Sequence, residues 1–289
     1  MTRAVYDDAG SGLAVVLLHG YPFDRSMWRE QIDFLSAHDY RVIAPDLRGF
    51  GETVAQTSFA ELSGPSHRLK SVPINEVDRT ITSMADMAHD VATLMDKLEI
   101  VDAAICGLSM GGYVAFEFVH LFPTRARTLV LAGTRAPADN EQEKQARAQQ
   151  AEQMLAKGMG DIAGATLPKL LAARTLTEKP GVVGRVREMI LRADPRGAAA
   201  AQRGMAARRD YSGDLPGIRV PVLIIVGHQD PIRPVTDAEF MHRGLSDSRL
   251  KIIEDAAHMT NMEQPENFNR ALLAFMETLD NTAGASPPS

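Results

Sequence analysis

The chain has 289 residues, of which 45% are hydrophobic and 24% are charged, and its net charge is −6. A chain of this length and composition can bury a substantial core, either as one large domain or as a core with an insertion. The acidic balance argues against a nucleic-acid partner, because such a partner requires a basic surface.

The remaining bulk features favour a soluble cytoplasmic protein. The single cysteine, Cys106, excludes an internal disulfide and fits a reducing compartment. The first apolar run, residues 13–18, is too short for a secretory signal. No run approaches the roughly 20 apolar residues that a membrane-spanning helix needs. We therefore expect no membrane partner and a monomer or homodimer.

Short apolar runs of strand length recur along the chain, at residues 14–18, 41–44, 103–106, 129–132, 222–226 and 250–253. Each is apolar throughout and does not alternate, which is typical of strands buried on both faces of a parallel sheet. Helical patterns separate them. Residues 82–98 carry one apolar stripe, and Ser83 and Asp86 form a capping-box pair near the start of this predicted helix. Further helices are predicted from Thr236 and from Pro265 to residue 279. The alternation predicts an α/β fold with a mostly parallel, twisted sheet flanked by helices.

The alternation breaks between residues 134 and 212, where no convincing strand occurs. Helices are predicted near 139–157, 182–192 and 195–209, the last beginning at Asp194-Pro195. We interpret residues 134–212 as a helical cap inserted into a core made of residues 1–133 and 213–280. The alternative is that these helices only extend the outer layer of the sheet.

Two further segments lack a clear pattern. Residues 52–79 are polar and contain glycine and proline, and loops this long inside a compact domain are usually functional or disordered. The sequence leaves open whether this loop gates a site. Residues 281–289 are predicted to be a disordered tail.

A candidate nucleophile lies in Gly107-Leu-Ser-Met-Gly111, between a buried strand and an apolar helix. A serine on such a turn requires small neighbours two residues away on either side, because strand and helix come too close for side chains. The turn also leaves the backbone N–H of Met110 at a helix N-terminus, where negative charge is stabilised. The pentapeptide alone is a weak signal, and its strand–turn–helix setting makes it specific.

A second oxyanion donor is expected after the first buried strand, where His19-Gly20-Tyr21-Pro22 follows. At this point the chain resembles the α/β-hydrolase family. The matching motifs cover nearly the whole chain outside residues 134–212. They are Leu17-Leu-His-Gly-Tyr-Pro22, Pro45-Asp-Leu-Arg-Gly-Phe-Gly51, Gly107-Leu-Ser-Met-Gly111, Gly227-His-Gln-Asp230 and Ala257-His258. The resemblance assigns the oxyanion hole to the backbone N–H groups of Tyr21 and Met110. It favours a structural role for His19.

A serine nucleophile needs a base, and the base needs an orienting partner. His258 alone among eight histidines comes directly after the last predicted strand, where the family places its catalytic histidine. Ala257 departs from the glycine usual in the family, whereas Glu263 matches. Asp230 follows the preceding strand and completes the order Ser109, Asp230, His258 that this fold uses. Residues 133–135, after the strand before the cap, offer no carboxylate as an alternative acid.

These residues predict a serine hydrolase that cleaves a carboxylic ester of small or medium acyl size through an acyl-serine intermediate. Open alternatives are a lactonase acting on acyl-homoserine lactones or enol-lactones, a cofactor-free haloperoxidase acting by perhydrolysis, and a ligand receptor of low turnover. Neither a metal motif nor a phosphate loop is present, so no cofactor is expected. Phe23, Trp28 and Met259 are candidates for the wall of an apolar substrate pocket. The arginines of the cap either contact an acidic substrate group or face solvent.

Overall fold

The computed structural model describes residues 5–53 and 81–283. Seven strands form one sheet in the order β1-β3-β2-β4-β5-β6-β7. All neighbours are parallel except β1, which pairs antiparallel with β3. The strands are β1 Tyr6–Ala9, β2 Leu13–Leu18, β3 Tyr40–Pro45, β4 Ala103–Leu108, β5 Ala126–Ala132, β6 Val222–Gly227 and β7 Ser248–Ile253. The predicted α/β class and mostly parallel sheet are confirmed.

All six predicted strands are present, and two features of the sheet differ from expectation. β1 is an additional short strand, Tyr-Asp-Asp-Ala, whose two aspartates hide its strand character in the sequence. Those aspartates pair with Arg25 and Arg41 at the sheet edge. The prediction that the last run is buried on both faces is wrong, because β7 is an edge strand with alternating half-buried and exposed side chains.

Helices cover both faces of the sheet and follow the strands as expected for parallel connections. The core helices are α1 Arg29–Ser36, α2 Met84–Lys97, α3 Met110–Leu121, α9 Val235–Gly244, α10 Thr260–Glu263 and α11 Pro265–Ala283. The predicted capping box at the start of α2 is confirmed: Ser83 N–H donates to Asp86 at 3.1 Å, and Asp86 N–H donates to Ser83 Oγ at 3.0 Å. α1 carries a buried apolar side but was not predicted.

Five helices fill the segment between β5 and β6: α4 Glu141–Lys157, α5 Gly160–Leu170, α6 Ala173–Glu178, α7 Pro180–Arg192 and α8 Pro195–Ala206. Three of them match predicted helices. α5 and α6 were missed, because α5 contains Pro168 and lacks a side-chain cap, and α6 has only six residues. The helices contact loops beyond the carboxyl ends of the strands, where Tyr21 donates to Met154 and Arg192 binds Asp24. These contacts support the proposed cap at residues 134–212.

The two segments without a clear sequence pattern, residues 52–79 and 281–289, lie only partly within the described residues. Residues 51–53 form a 3-10 turn, and the rest of the 52–79 loop lies outside the described residues. α11 continues to Ala283, so the first three residues of the predicted disordered tail at 281–289 are helical, whereas 284–289 lie outside the described residues. In the described ranges, no helix has the length and apolar character needed to cross a bilayer.

Candidate active site

Ser109 lies on a strained turn between β4 and α3. Its backbone angles are φ 56° and ψ −112°, a left-handed conformation that side chains disfavour. A Cβ on Gly107 would lie 2.1 Å from the carbonyl oxygen of Gly111, and one on Gly111 would lie 2.1 Å from that of Leu18. The glycines are therefore required by close backbone approach. Ser109 is half-buried, whereas its flanking residues are buried.

The loop after β2 lies directly against this turn. The close approach of Gly111 to Leu18 places the end of β2 beside the first turn of α3. Among the described residues, the backbone N–H groups of Tyr21 and Met110 donate to no backbone acceptor. The Tyr21 hydroxyl donates away from this turn, to Met154 Sδ of α4 at 3.0 Å, and burial raises the pKa of the phenol. These two backbone N–H groups are therefore not used by a backbone acceptor of the described residues.

His19 has both ring nitrogens engaged in holding this loop. Nδ1 lies 2.9 Å from the carbonyl oxygen of Gly20, and Nε2 accepts from the backbone N–H of Leu47 at 2.9 Å. Burial lowers the pKa of the ring, which favours the neutral form that these two bonds require. Because neither nitrogen is free, His19 orders the loop and has no position from which to transfer a proton.

The structure brings His258 and Asp230 together, although 28 residues separate them. Nδ1 of His258 lies 2.7 Å from Oδ2 of Asp230, and both side chains are buried. The other carboxylate oxygen, Oδ1, accepts backbone N–H groups from Ile232 at 2.8 Å and Arg233 at 2.9 Å. These bonds fix the carboxylate in one orientation. With Nδ1 engaged, Nε2 is the nitrogen of His258 left to act as a base.

The end of β5 connects this pair to Ser109. The Ser109 N–H donates to the carbonyl oxygen of Ala132 at 2.8 Å, and the Thr134 hydroxyl donates to the carbonyl oxygen of Ser109 at 3.0 Å. Gly133, between them, lies against the imidazole of His258, since a Cβ there would be 3.4 Å from the ring. Ser109 and the imidazole of His258 therefore both contact residues 132–134 at the end of β5.

The candidate pocket residues Phe23, Trp28 and Met259 are all buried. Phe23 lies beside the loop after β2, with a ring carbon 3.4 Å from the Cβ position of Gly20. The Trp28 ring packs against Phe268 of α11, with ring centroids 5.9 Å apart, as a core residue does. Their role in binding substrate stays a prediction.

A group of arginines surrounds Tyr113, one helical turn after Ser109. Arg233 donates to the Tyr113 hydroxyl at 2.6 Å, and the guanidinium of Arg208 lies 4.1 Å from the centre of its ring. Burial alone would raise the pKa of this phenol, but the surrounding arginines lower it. Asp139 binds Arg208 and Arg135, each at 2.7 Å. Sequence reasoning missed this cluster, since its members are scattered over more than 100 residues.

Within the part of the chain that the structure describes, no group of three His, Cys, Asp or Glu side chains is placed to hold a metal ion. The arrangement around Ser109 can instead supply a nucleophile, a base with its orienting acid, and backbone donors for an oxyanion.

Comparison with known proteins gives consistent matches over the whole fold. The family model for the alpha/beta hydrolase fold matches residues 14–265. The chain is 29% identical to 3-oxoadipate enol-lactonase 2 of Acinetobacter baylyi, over 91% of this chain and 88% of that protein. Among solved structures, a thermophilic esterase from Thermogutta terrifontis is 37% identical with a TM-score of 0.85, over 96% of this chain and 93% of that one. The enol-lactonase from Burkholderia xenovorans LB400 is 26% identical with a TM-score of 0.80, over 95% and 96%.

These relatives are hydrolases of ester bonds, and the family model covers most of the sequence. The chain therefore belongs to the alpha/beta hydrolase fold family and is an ester-bond hydrolase.

Proposed function

We propose that Ser109, His258 and Asp230 form a catalytic triad that hydrolyses a carboxylic ester of small or medium acyl size. The observation that carries the proposal is the buried His258–Asp230 pair, in which two backbone N–H groups fix the carboxylate. This arrangement holds the imidazole with its proton on Nδ1, so that Nε2 accepts the proton of the serine hydroxyl.

In the first step, Ser109 Oγ attacks the ester carbonyl carbon while its proton passes to His258 Nε2. The oxyanion is bound by the backbone N–H groups of Tyr21 and Met110. The bond from carbon to the alcohol oxygen then breaks, and the alcohol leaves with the proton from His258. A water molecule next attacks the acyl-serine, again giving its proton to His258, and the acid is released as Ser109 regains its proton.

A lactone is the second candidate substrate, because two of the matched relatives are named as enol-lactonases. The chemistry is identical for a cyclic ester, except that the alcohol and the acid stay joined in one hydroxy-acid product. The triad geometry does not distinguish the two classes, so the choice depends on the shape of the acyl pocket under the cap.

A substrate panel tests this proposal. Purified protein would be assayed with p-nitrophenyl esters of increasing chain length and, in parallel, with an enol-lactone and acyl-homoserine lactones. Hydrogen peroxide with acetate and a halide would test perhydrolysis. We expect ester or lactone turnover that Ser109→Ala abolishes without loss of thermal stability. Full turnover in Ser109→Ala would contradict the assignment, and binding without turnover of any substrate would favour a receptor.

A further inference from the structure

The loop that carries His258 is hydrogen-bonded to the cap at the joint between α5 and α6. The backbone N–H groups of His258 and Met259 both donate to the carbonyl oxygen of Leu170, each at 3.1 Å. Leu170 ends α5 and belongs to the segment 134–212, whereas His258 belongs to the core. The proposed base is therefore attached directly to the helical insertion.

Glu263 makes a second attachment between the same two segments. It is buried, with an exposed fraction of 0%. Its Oε1 accepts the backbone N–H of Ala257 at 2.8 Å, immediately before His258. Its Oε2 accepts the backbone N–H of Ala172 at 2.7 Å, 91 residues away in the cap. One carboxylate thus bonds both the histidine loop and the cap.

Further contacts surround the same residue. The Lys179 ammonium donates to the carbonyl oxygen of Glu263 at 2.5 Å. The Thr175 side chain also hydrogen-bonds the carboxylate, and the electrostatic interaction with His258 favours the ionised carboxylate. Burial raises the pKa of Glu263, and these bonds oppose that effect. A buried carboxylate is costly unless its oxygens are hydrogen-bonded, and here each of the two oxygens accepts a backbone N–H.

We propose that Glu263 is a positioning residue, which holds the His258 loop against residues 170–172 so that this part of the cap and the base form one rigid unit. The proposal rests on the proposed role of His258. Displacing a catalytic group by about 1 Å costs roughly 100-fold in rate. Cap movements that separate residues 170–172 from the core would therefore lower the rate of the chemical step for as long as the joint is open.

Glu263→Gln, with Glu266→Gln as its matched control, tests the positioning role. The glutamine places an NH₂ group against one of the two backbone N–H groups, so one bond of the bridge is lost. Glu266 is exposed on the first turn of α11, three residues along the chain. We expect Glu263→Gln to lower kcat roughly 10- to 100-fold with KM changed less than about threefold. Hydrogen exchange should accelerate in peptides covering both 170–173 and 255–259, and Glu266→Gln should show neither effect.

Ala172→Pro removes the bond between the Ala172 N–H and the Glu263 carboxylate without substituting Glu263 itself. Ala172 has φ −61° and ψ 150°, which proline adopts, so the substitution removes the N–H and its ring displaces the carboxylate oxygen. We expect kcat to fall in this variant as well. In Glu263→Ala the bridge is already absent, so adding Ala172→Pro should lower kcat little further.

The outcomes separate the two proposals. Wild-type kcat in folded Glu263→Gln or Ala172→Pro, or faster exchange confined to one segment, would overturn the positioning role. If His258→Gln itself keeps wild-type kcat, the proposed function fails, and the exchange measurement still reports whether Glu263 bridges the segments.

Discussion

Asp230→Asn replaces a single carboxylate oxygen by NH₂ and should move the imidazole proton of His258 from Nδ1 to Nε2. Oδ1 of Asp230 accepts two backbone N–H groups, from Ile232 and Arg233. An asparagine must keep its oxygen at that position, because an NH₂ group there would face two donors. Its NH₂ then lies where Oδ2 now meets His258 Nδ1 at 2.7 Å. The imidazole must accept at Nδ1 and carry its proton on Nε2.

A proton on Nε2 removes the base that Ser109 needs. The corresponding change in a serine hydrolase triad lowers kcat by about 10⁴-fold, and at about 1.36 kcal/mol per factor of ten this equals about 5.4 kcal/mol of transition-state stabilisation. The Asp230 carboxylate is buried and already hydrogen-bonded to His258, Ile232 and Arg233, so we expect KM to change little. The fold should persist, since the two backbone bonds to the side-chain oxygen are kept.

Steady-state kinetics on a p-nitrophenyl ester, with circular dichroism to verify folding, measures this effect. Asp247→Asn, at an exposed position before β7, is the matched control and should behave as wild type. A folded Asp230→Asn variant that keeps more than a tenth of the wild-type kcat would refute the reasoning about the tautomer.

Three further predictions concern stability. Ser109→Gly should unfold at higher temperature than Ser109→Ala, because glycine adopts the observed φ of 56° without the strain of about 1 kcal/mol or more that a Cβ brings; equal melting temperatures would contradict a strained turn. Asp139→Asn should cost about 3 kcal/mol at pH 7, since it leaves the fully buried side chain of Arg208 without its carboxylate. Burial raises the pKa of Asp139, but its arginine partners hold it at about 2. The stabilising effect of Asp139 is therefore complete above its unfolded pKa of about 3.9 and is lost as pH falls through about 2. Chemical denaturation of wild type and Asp139→Asn at several pH values should show their difference in unfolding free energy disappearing as pH falls through about 2, and a difference independent of pH would argue against this ion pair. Arg192→Gln should cost at most about 1 kcal/mol, because half of the arginine side chain is exposed although it binds Asp24 with two nitrogens; a loss as large as that of Asp139→Asn would contradict this ranking.

The sequence predicted what depends on local pattern and chain order. The apolar runs located six strands, and the spacing of Gly107 and Gly111 marked the turn at Ser109. Motif order along the chain then paired Asp230 with His258, which the structure places 2.7 Å apart. These features could be read because parallel strands put the loops at their carboxyl ends beside one another.

Contacts between distant segments could not be predicted in this way. Glu263 matched a family motif, yet its bond to Ala172 joins residues 91 positions apart and depends on how the helices between β5 and β6 pack against the core. The same holds for the arginines around Tyr113, each of which alone resembles an ordinary surface charge. β1 was missed because its two aspartates are stabilised by arginines elsewhere, which the local pattern does not reveal.

The measurement that tests the central assignment most directly is labelling with a fluorophosphonate, which bonds covalently to an activated serine. Intact-mass analysis followed by peptide mapping should show one adduct per chain, located on Ser109, and no adduct in Ser109→Ala. A stoichiometric adduct on any other residue, or the absence of labelling in protein that turns over esters, would contradict the assignment of Ser109 as the nucleophile.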